Sequence, residues 1–181
     1  FYTIGWFFRL THLINPQLKV QKWQDVDFDQ FYKQGYRNII FDMDNTLTKW
    51  KEKDLPKDSI EHMRELISKG YHLFIMSNTR HVARLNAIKQ KIGAGMKAYG
   101  KMKKPFLSKA KAIMKREALK NSETLFIGDQ LFTDILIGNL LKTYTIKVEP
   151  IDLEHEFPMT KILRKLERFF ERKKPEGNRN E

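Results

Sequence analysis

Cysteine is absent from all 181 residues, so the chain has neither a disulfide framework nor a thiolate metal site, and a reducing compartment suits it. Long apolar runs are missing too, and no segment stays apolar over the roughly 20 residues that a bilayer crossing requires. The opening residues lack the charged start, apolar middle and small-residue cleavage site of a secretory signal, so a cytoplasmic body is expected. Negative charge is in short supply. Thirty-four Lys and Arg face 22 Asp and Glu, a net charge of +12. That balance suits an anionic partner, whether nucleic acid, an anionic membrane or a phosphorylated substrate, or it is a lysine-rich surface that serves solubility. What is present, 41% hydrophobic and 31% charged residues, fits one globular domain with appended ends.

The chain is organised around residues 38–48, Asn-Ile-Ile-Phe-Asp-Met-Asp-Asn-Thr-Leu-Thr. The apolar run Ile39, Ile40, Phe41 predicts a strand that delivers Asp42 and Asp44 onto a loop opening with Asn45 and Thr46. Side chains two apart on an extended backbone project the same way, so both carboxylates can converge on one ligand. A calcium loop does not fit, because Leu47 and Lys53 stand where its glycine and bidentate glutamate belong. Asp-x-Asp also occurs in solvated turns, where it caps backbone N–H groups. Partners elsewhere in the chain must decide.

Residues 1–24 form an aromatic and apolar N-terminal segment with Trp6, Phe7, Phe8, Leu10 and Leu13 before Asn15-Pro16, suited either to lying at a membrane interface or to packing on the domain. The domain proper is expected over 25–150. A short helix over 25–34 turns Phe28, Phe31 and Tyr32 inward and stops at Gly35. After the first strand, Asp58 or Ser59 can cap a helix burying Ile60, Met63, Leu66 and Ile67. A second strand over 71–76 ends in Ser77, Asn78 and Thr79, and the next helix buries Val82, Leu85, Ile88 and Ile92. Gly95, Gly100 and Lys101 have the spacing of a phosphate loop, but Met102 replaces its magnesium-binding hydroxyl, so this region reads as a turn and a short third strand. Lys103, Lys104 and Pro105 lead into a helix with Ala110, Ile113 and Met114 inward and the proline in its first turn. A fourth strand over 124–127 exits through Gly128 to Asp129 and Asp134, followed by an apolar helix through Leu140 and a fifth strand over 144–148. Beyond it, residues 151–174 hold a linker and a basic amphipathic helix, and 175–181 read as disordered. The alternation predicts an α/β three-layer sandwich around a five-stranded parallel sheet, with ligands beyond the carboxyl ends of the strands.

Four strand tips then share one rim and offer Asp42 with Asp44, Ser77 with Asn78, Lys104, and Asp129 with Asp134. Gathered carboxylates repel one another, so a hard divalent cation is the natural resident, and oxygen ligands without Cys or a His cluster select magnesium. Lys104 and the Ser77 hydroxyl would hold phosphoryl oxygens beside it. In order and spacing these motifs resemble those of haloacid dehalogenase (HAD) superfamily phosphatases over residues 38–148. Gly128-Asp129-Gln130-Leu131-Phe132-Thr133-Asp134 is similar to subclass IIIA members of the YqeG branch and the related mitochondrial phosphatidylglycerophosphate phosphatases.

The resemblance implies a HAD-like Rossmannoid sheet with strand order 3-2-1-4-5 and an aspartyl-phosphate mechanism. Asp42 would be the nucleophile and Asp44 the general acid and base. Ser77, Asn78 and Lys104 would bind phosphate, with Lys103 as the alternative lysine. Magnesium would be held by Asp42, Asp129 and the main-chain carbonyl of Asp44, with Asp134 orienting that shell or Lys104. The connections 48–59 and 79–103 leave no room for a large cap domain. An open site suits a phosphate on a large carrier, and phosphatidylglycerophosphate, an anionic phospholipid, is the expected substrate, with peripheral contact at the inner membrane face through the amphipathic ends. A nucleic-acid end or a small metabolite is the alternative substrate, and a basic binding scaffold without turnover the alternative role.

Overall fold

A computed structural model of the chain describes residues 11–155 and 165. Six strands, β1 (Leu18–Val20), β2 (Asn38–Phe41), β3 (His72–Met76), β4 (Met96–Tyr99), β5 (Thr124–Gly128) and β6 (Tyr144–Val148), form one sheet in the order β1-β6-β5-β2-β3-β4. Every neighbouring pair is parallel. The expected order of the five later strands is retained, and the sheet has six strands rather than five because β1 joins beside β6, with Leu18 level with Ile146. Three residues give periodicity nothing to register, and β1 forms only on the template of β6. It also moves the domain boundary. Residues 18–20 and the buried Trp23 belong to the segment 1–24 that sequence reading sets apart, yet they are built into the sheet and its core.

The central strands are apolar throughout because both faces are covered. Ile39 and Phe41 point into one layer with Met63, Leu66, Leu85, Ile88 and Ile92, while Ile40 points into the other with Ala110, Ile113, Met114 and Ile137. The first layer is α1 (Phe28–Lys33), α2 (Lys57–Ser68) and α3 (Val82–Ile92), and the second is α4 (Leu107–Arg116) and α5 (Leu136–Leu140). This is the expected three-layer sandwich. No large cap interrupts it among the described residues.

Several local expectations change. Helix α1 starts at Phe28, capped by Asp27, whose carboxylate accepts from Gln30 N at 2.9 Å. Helix α2 starts at Lys57 after Pro56, so neither Asp58 nor Ser59 caps it, and Ser59 is instead buried and accepts a hydrogen bond from Gln24. Val82 opens α3 at the rim, before the helix reaches the sheet, and is 47% exposed rather than buried. Pro105 precedes α4 instead of occupying its first turn. The end of the N-terminal segment docks, with Ile14 buried against Leu131 and Ile135 and the Asn139 amide donating to the carbonyls of Leu13 and Asn15. The rest of that segment, residues 1–10, lies outside the described residues, as do the basic helix expected within 151–174 (residue 165 aside) and the tail 175–181.

Candidate active site

Register brings the chemistry together. Phe41 is level with Ile75 on one side and Ile127 on the other, so the residues that follow each strand emerge side by side where the strand order reverses. Asp42 N donates to the Ile127 carbonyl at 2.8 Å, which extends the pairing by one step and fixes where its carboxylate leaves the sheet. Asp42, Asp129 and Asp134 are all buried, and one carboxylate oxygen from each lies within 4.8 Å of the others. Asp134 reaches this group because Leu131–Ile135 is a single π-helical turn, and its Oδ2 accepts from Gln130 N at 3.2 Å. Gly128 is obligatory here, since a Cβ at that position would stand 2.4 Å from Asp134 Cβ.

Lys104 closes the group. Its Nζ donates to Asp42 Oδ1 and to Asp134 Oδ1, each at 2.5 Å, with its side chain only 2% exposed. Lys103 is exposed, with a left-handed backbone (φ 59°) that turns the chain so that the next side chain enters the protein. Of the two lysines, Lys104 is the one that meets the buried acids. Asn78 fixes it from behind, its Oδ1 accepting from Lys104 N at 2.7 Å and its Nδ2 donating to the Lys104 carbonyl at 3.2 Å. With its amide engaged at both ends, Asn78 holds the lysine loop rather than reaching toward a ligand. Ser77 is buried at the tip of β3, and its hydroxyl oxygen accepts from Thr79 N.

Burial pushes the Asp42 carboxyl well above the usual range, and the carboxylates of Asp134, Asp129 and Asp44 add to this against the pull of Lys104. Burial also disfavours the Lys104 ammonium, but Asp134 and Asp42 outweigh it and hold the group protonated. Three carboxylates against one ammonium leave an excess of two negative charges when all are ionised. An oxygen-only donor set with that excess fits a hard divalent cation.

Residues 4–151, which include the whole of this site, match the family model described as Mitochondrial PGP phosphatase. The chain belongs to this family of phosphatases. It is 26% identical over 165 residues to phosphatidylglycerophosphate phosphatase 1, chloroplastic/mitochondrial, of Arabidopsis thaliana, covering 84% of this chain and 45% of that protein. It therefore spans about half the length of the plant relative. To the probable phosphatase YqeG of Bacillus subtilis (strain 168) it is 29% identical over 140 residues, covering 77% of this chain and 79% of the other. Two solved structures share the fold. One is an uncharacterized protein from Listeria monocytogenes serotype 4b, at TM-score 0.52 and 16% identity over 67% of this chain and 85% of that one. The other is a predicted phosphoglycolate phosphatase from Haemophilus somnus 129pt, at TM-score 0.50 and 13% identity over 62% and 85%.

The carboxylate of Asp44 stands outside the buried group of three in this family member. It accepts from Arg84 Nη1 at 2.6 Å, and Arg84 Nη2 also donates to the Lys49 carbonyl at 3.3 Å. Sequence reading did not single out Arg84. One signal was available: a cation in the first turn of a helix opposes the helix dipole, so something other than the helix must hold it there. Thr46, which opens the loop after Asp44, donates from its hydroxyl to Asp129 Oδ1 at 3.1 Å and joins the β2 loop to the β5 tip.

Proposed function

We propose that the protein hydrolyses a phosphate monoester with magnesium and by way of a phosphorylated Asp42, and that the ester is the anionic phospholipid phosphatidylglycerophosphate. The observation that carries this reading is the buried contact of Lys104 with Asp42 and Asp134, with Asp129 in the same group. A carboxylate oxygen of Asp42 attacks phosphorus while the bond to the leaving oxygen breaks, and Asp44 gives that oxygen a proton. Water then attacks the same phosphorus, Asp44 takes its proton, the bond from Asp42 to phosphorus breaks and inorganic phosphate departs. Lys104 and the Ser77 hydroxyl hold the non-bridging oxygens, and Arg84 keeps Asp44 beside the path of the leaving group. A magnesium ion held by Asp42, Asp129, Asp134 and the main-chain carbonyl of Asp44 would draw charge from the phosphoryl oxygens.

The substrate assignment is supported by the family and by the name of the plant relative. Among the described residues no large cap covers the rim, which agrees with it. Purified protein with magnesium should release phosphate from an activated aryl phosphate, and Asp42→Asn should abolish release; turnover surviving that change would remove Asp42 as nucleophile. Phosphatidylglycerophosphate vesicles compared with phosphorylated oligonucleotides then identify the carrier, and preference for the oligonucleotides would overturn the lipid assignment.

A further inference from the structure

Exposed large apolar side chains are not spread evenly. Four of the five among the described residues lie beyond the carboxyl ends of the strands: Phe106 (70% exposed), Leu153 (55%) and Ile151 (46%) outside helices and strands, and Val82 (47%) at the start of α3. The fifth, Leu140, precedes the amino end of β6. Each of the four is tied closely to the site. Phe106 is two residues from Lys104, and Val82 is two residues from Arg84, which holds Asp44. Ile151 N donates to the carbonyl of Asn45, next to Asp44, at 3.1 Å, and Leu153 is two residues further on.

Unpaired cations outnumber unpaired acids on this rim. Three exposed acids there are engaged within the protein: Glu52 accepts from Thr48, Asp54 pairs with Lys91, and Glu149 pairs with Lys147. Asp152 accepts from the N–H groups of Glu154 and His155. The exposed Lys49, Lys53, Arg80, Lys101 and Lys103 have no ion-pair partner among the described residues. Apolar tips surrounded by uncompensated cations match an interface where acyl chains lie just beneath anionic headgroups.

We propose that the carboxyl-end rim is a lipid-docking face, on which Phe106, Leu153, Val82 and Ile151 enter the headgroup layer of an anionic bilayer while the neighbouring lysines and Arg80 bind its phosphates. Docked in this way, the mouth of the site opens onto the membrane and receives a headgroup phosphate without the lipid leaving the bilayer. The inference rests on the phosphatase reading of that mouth.

Cosedimentation of the full chain with phosphatidylcholine vesicles, with and without phosphatidylglycerol, tests it, alongside hydrolysis of a soluble aryl phosphate. The wild type should bind only the anionic vesicles, and salt should weaken the binding. Phe106→Ser combined with Leu153→Ser should lower partition by about tenfold or more, and Lys53→Glu with Lys101→Glu should lower it comparably, with aryl phosphate turnover unchanged in both. Wild-type partition in both double variants, or no binding by the wild type, would overturn the docking face, as would binding to oligonucleotides with none to vesicles. Vesicle binding without any aryl phosphate turnover would instead remove the phosphatase reading and leave the docking face standing.

Discussion

In the proposed reaction Asp44 delivers a proton to the leaving oxygen, and its carboxylate is held by a 2.6 Å contact with Arg84. The Arg84 side chain is 9% exposed, and its Nε has no hydrogen-bond partner among the described residues. Such a costly arrangement is retained for position. Arg84→Met should therefore slow turnover of an alkyl phosphate, whose leaving oxygen needs a proton, by about tenfold to hundredfold. An aryl phosphate with a good leaving group should be affected much less. Arg84→Lys should restore part of the difference, and equal losses on both substrates would show that the arginine acts only on the fold. That Asp42 and Asp129 come together was legible because each follows an apolar strand run, and the order of the runs predicts one rim. Arg84 was not, since its partner lies 40 residues away and nothing local connects them.

Among the elements, the pairing of β4 with α4 illustrates what a sequence withholds. Glu117 at the end of α4 accepts from Lys97 and from Tyr99 OH on β4, and from Arg116 beside it. Lys97 first, then Tyr99 and Arg116, hold its carboxyl down to about 2. A carboxylate depressed on folding adds stability above its unfolded value, and that contribution is lost as pH falls through its folded value. The window thus runs from about 4.5 down to about 2. Glu117→Gln should be less stable than wild type at neutral pH, and its stability should fall less steeply across that window in urea titrations at stepped pH. Strands buried on both faces were readable as apolar runs, and helices by their inward stripe. What escaped were features made by tertiary partners: β1, which needs β6, and the exposure of Val82, which depends on where α3 meets the rim.

For the molecule as a whole, the cluster of Asp42, Asp129 and Asp134 concentrates negative charge inside a chain of net charge +12. A cation that binds there binds the folded state alone. At about a hundred times its dissociation constant, magnesium should stabilise the protein by about 2.7 kcal/mol. For a domain of this size that raises the melting temperature by about 5–10 °C. Asp129→Asn should lose most of the shift, and an unchanged shift would place the cation elsewhere. The layered architecture was legible because alternation of strand and helix permits few topologies. The rim's apolar and basic surface was not, since exposure is a property of the folded whole. One further consequence lies in the sheet order. Lys104 follows β4, an edge strand bonded only to β3, whereas Asp42 and Asp129 follow the interior strands β2 and β5. Edge strands open at lower free energy than interior ones, so the enzyme's weakest seam runs between its cation and its acids. Amides of Met96–Tyr99 should exchange with deuterium ahead of those of Asn38–Phe41, and phosphate release should fade in rising urea before the backbone signal changes.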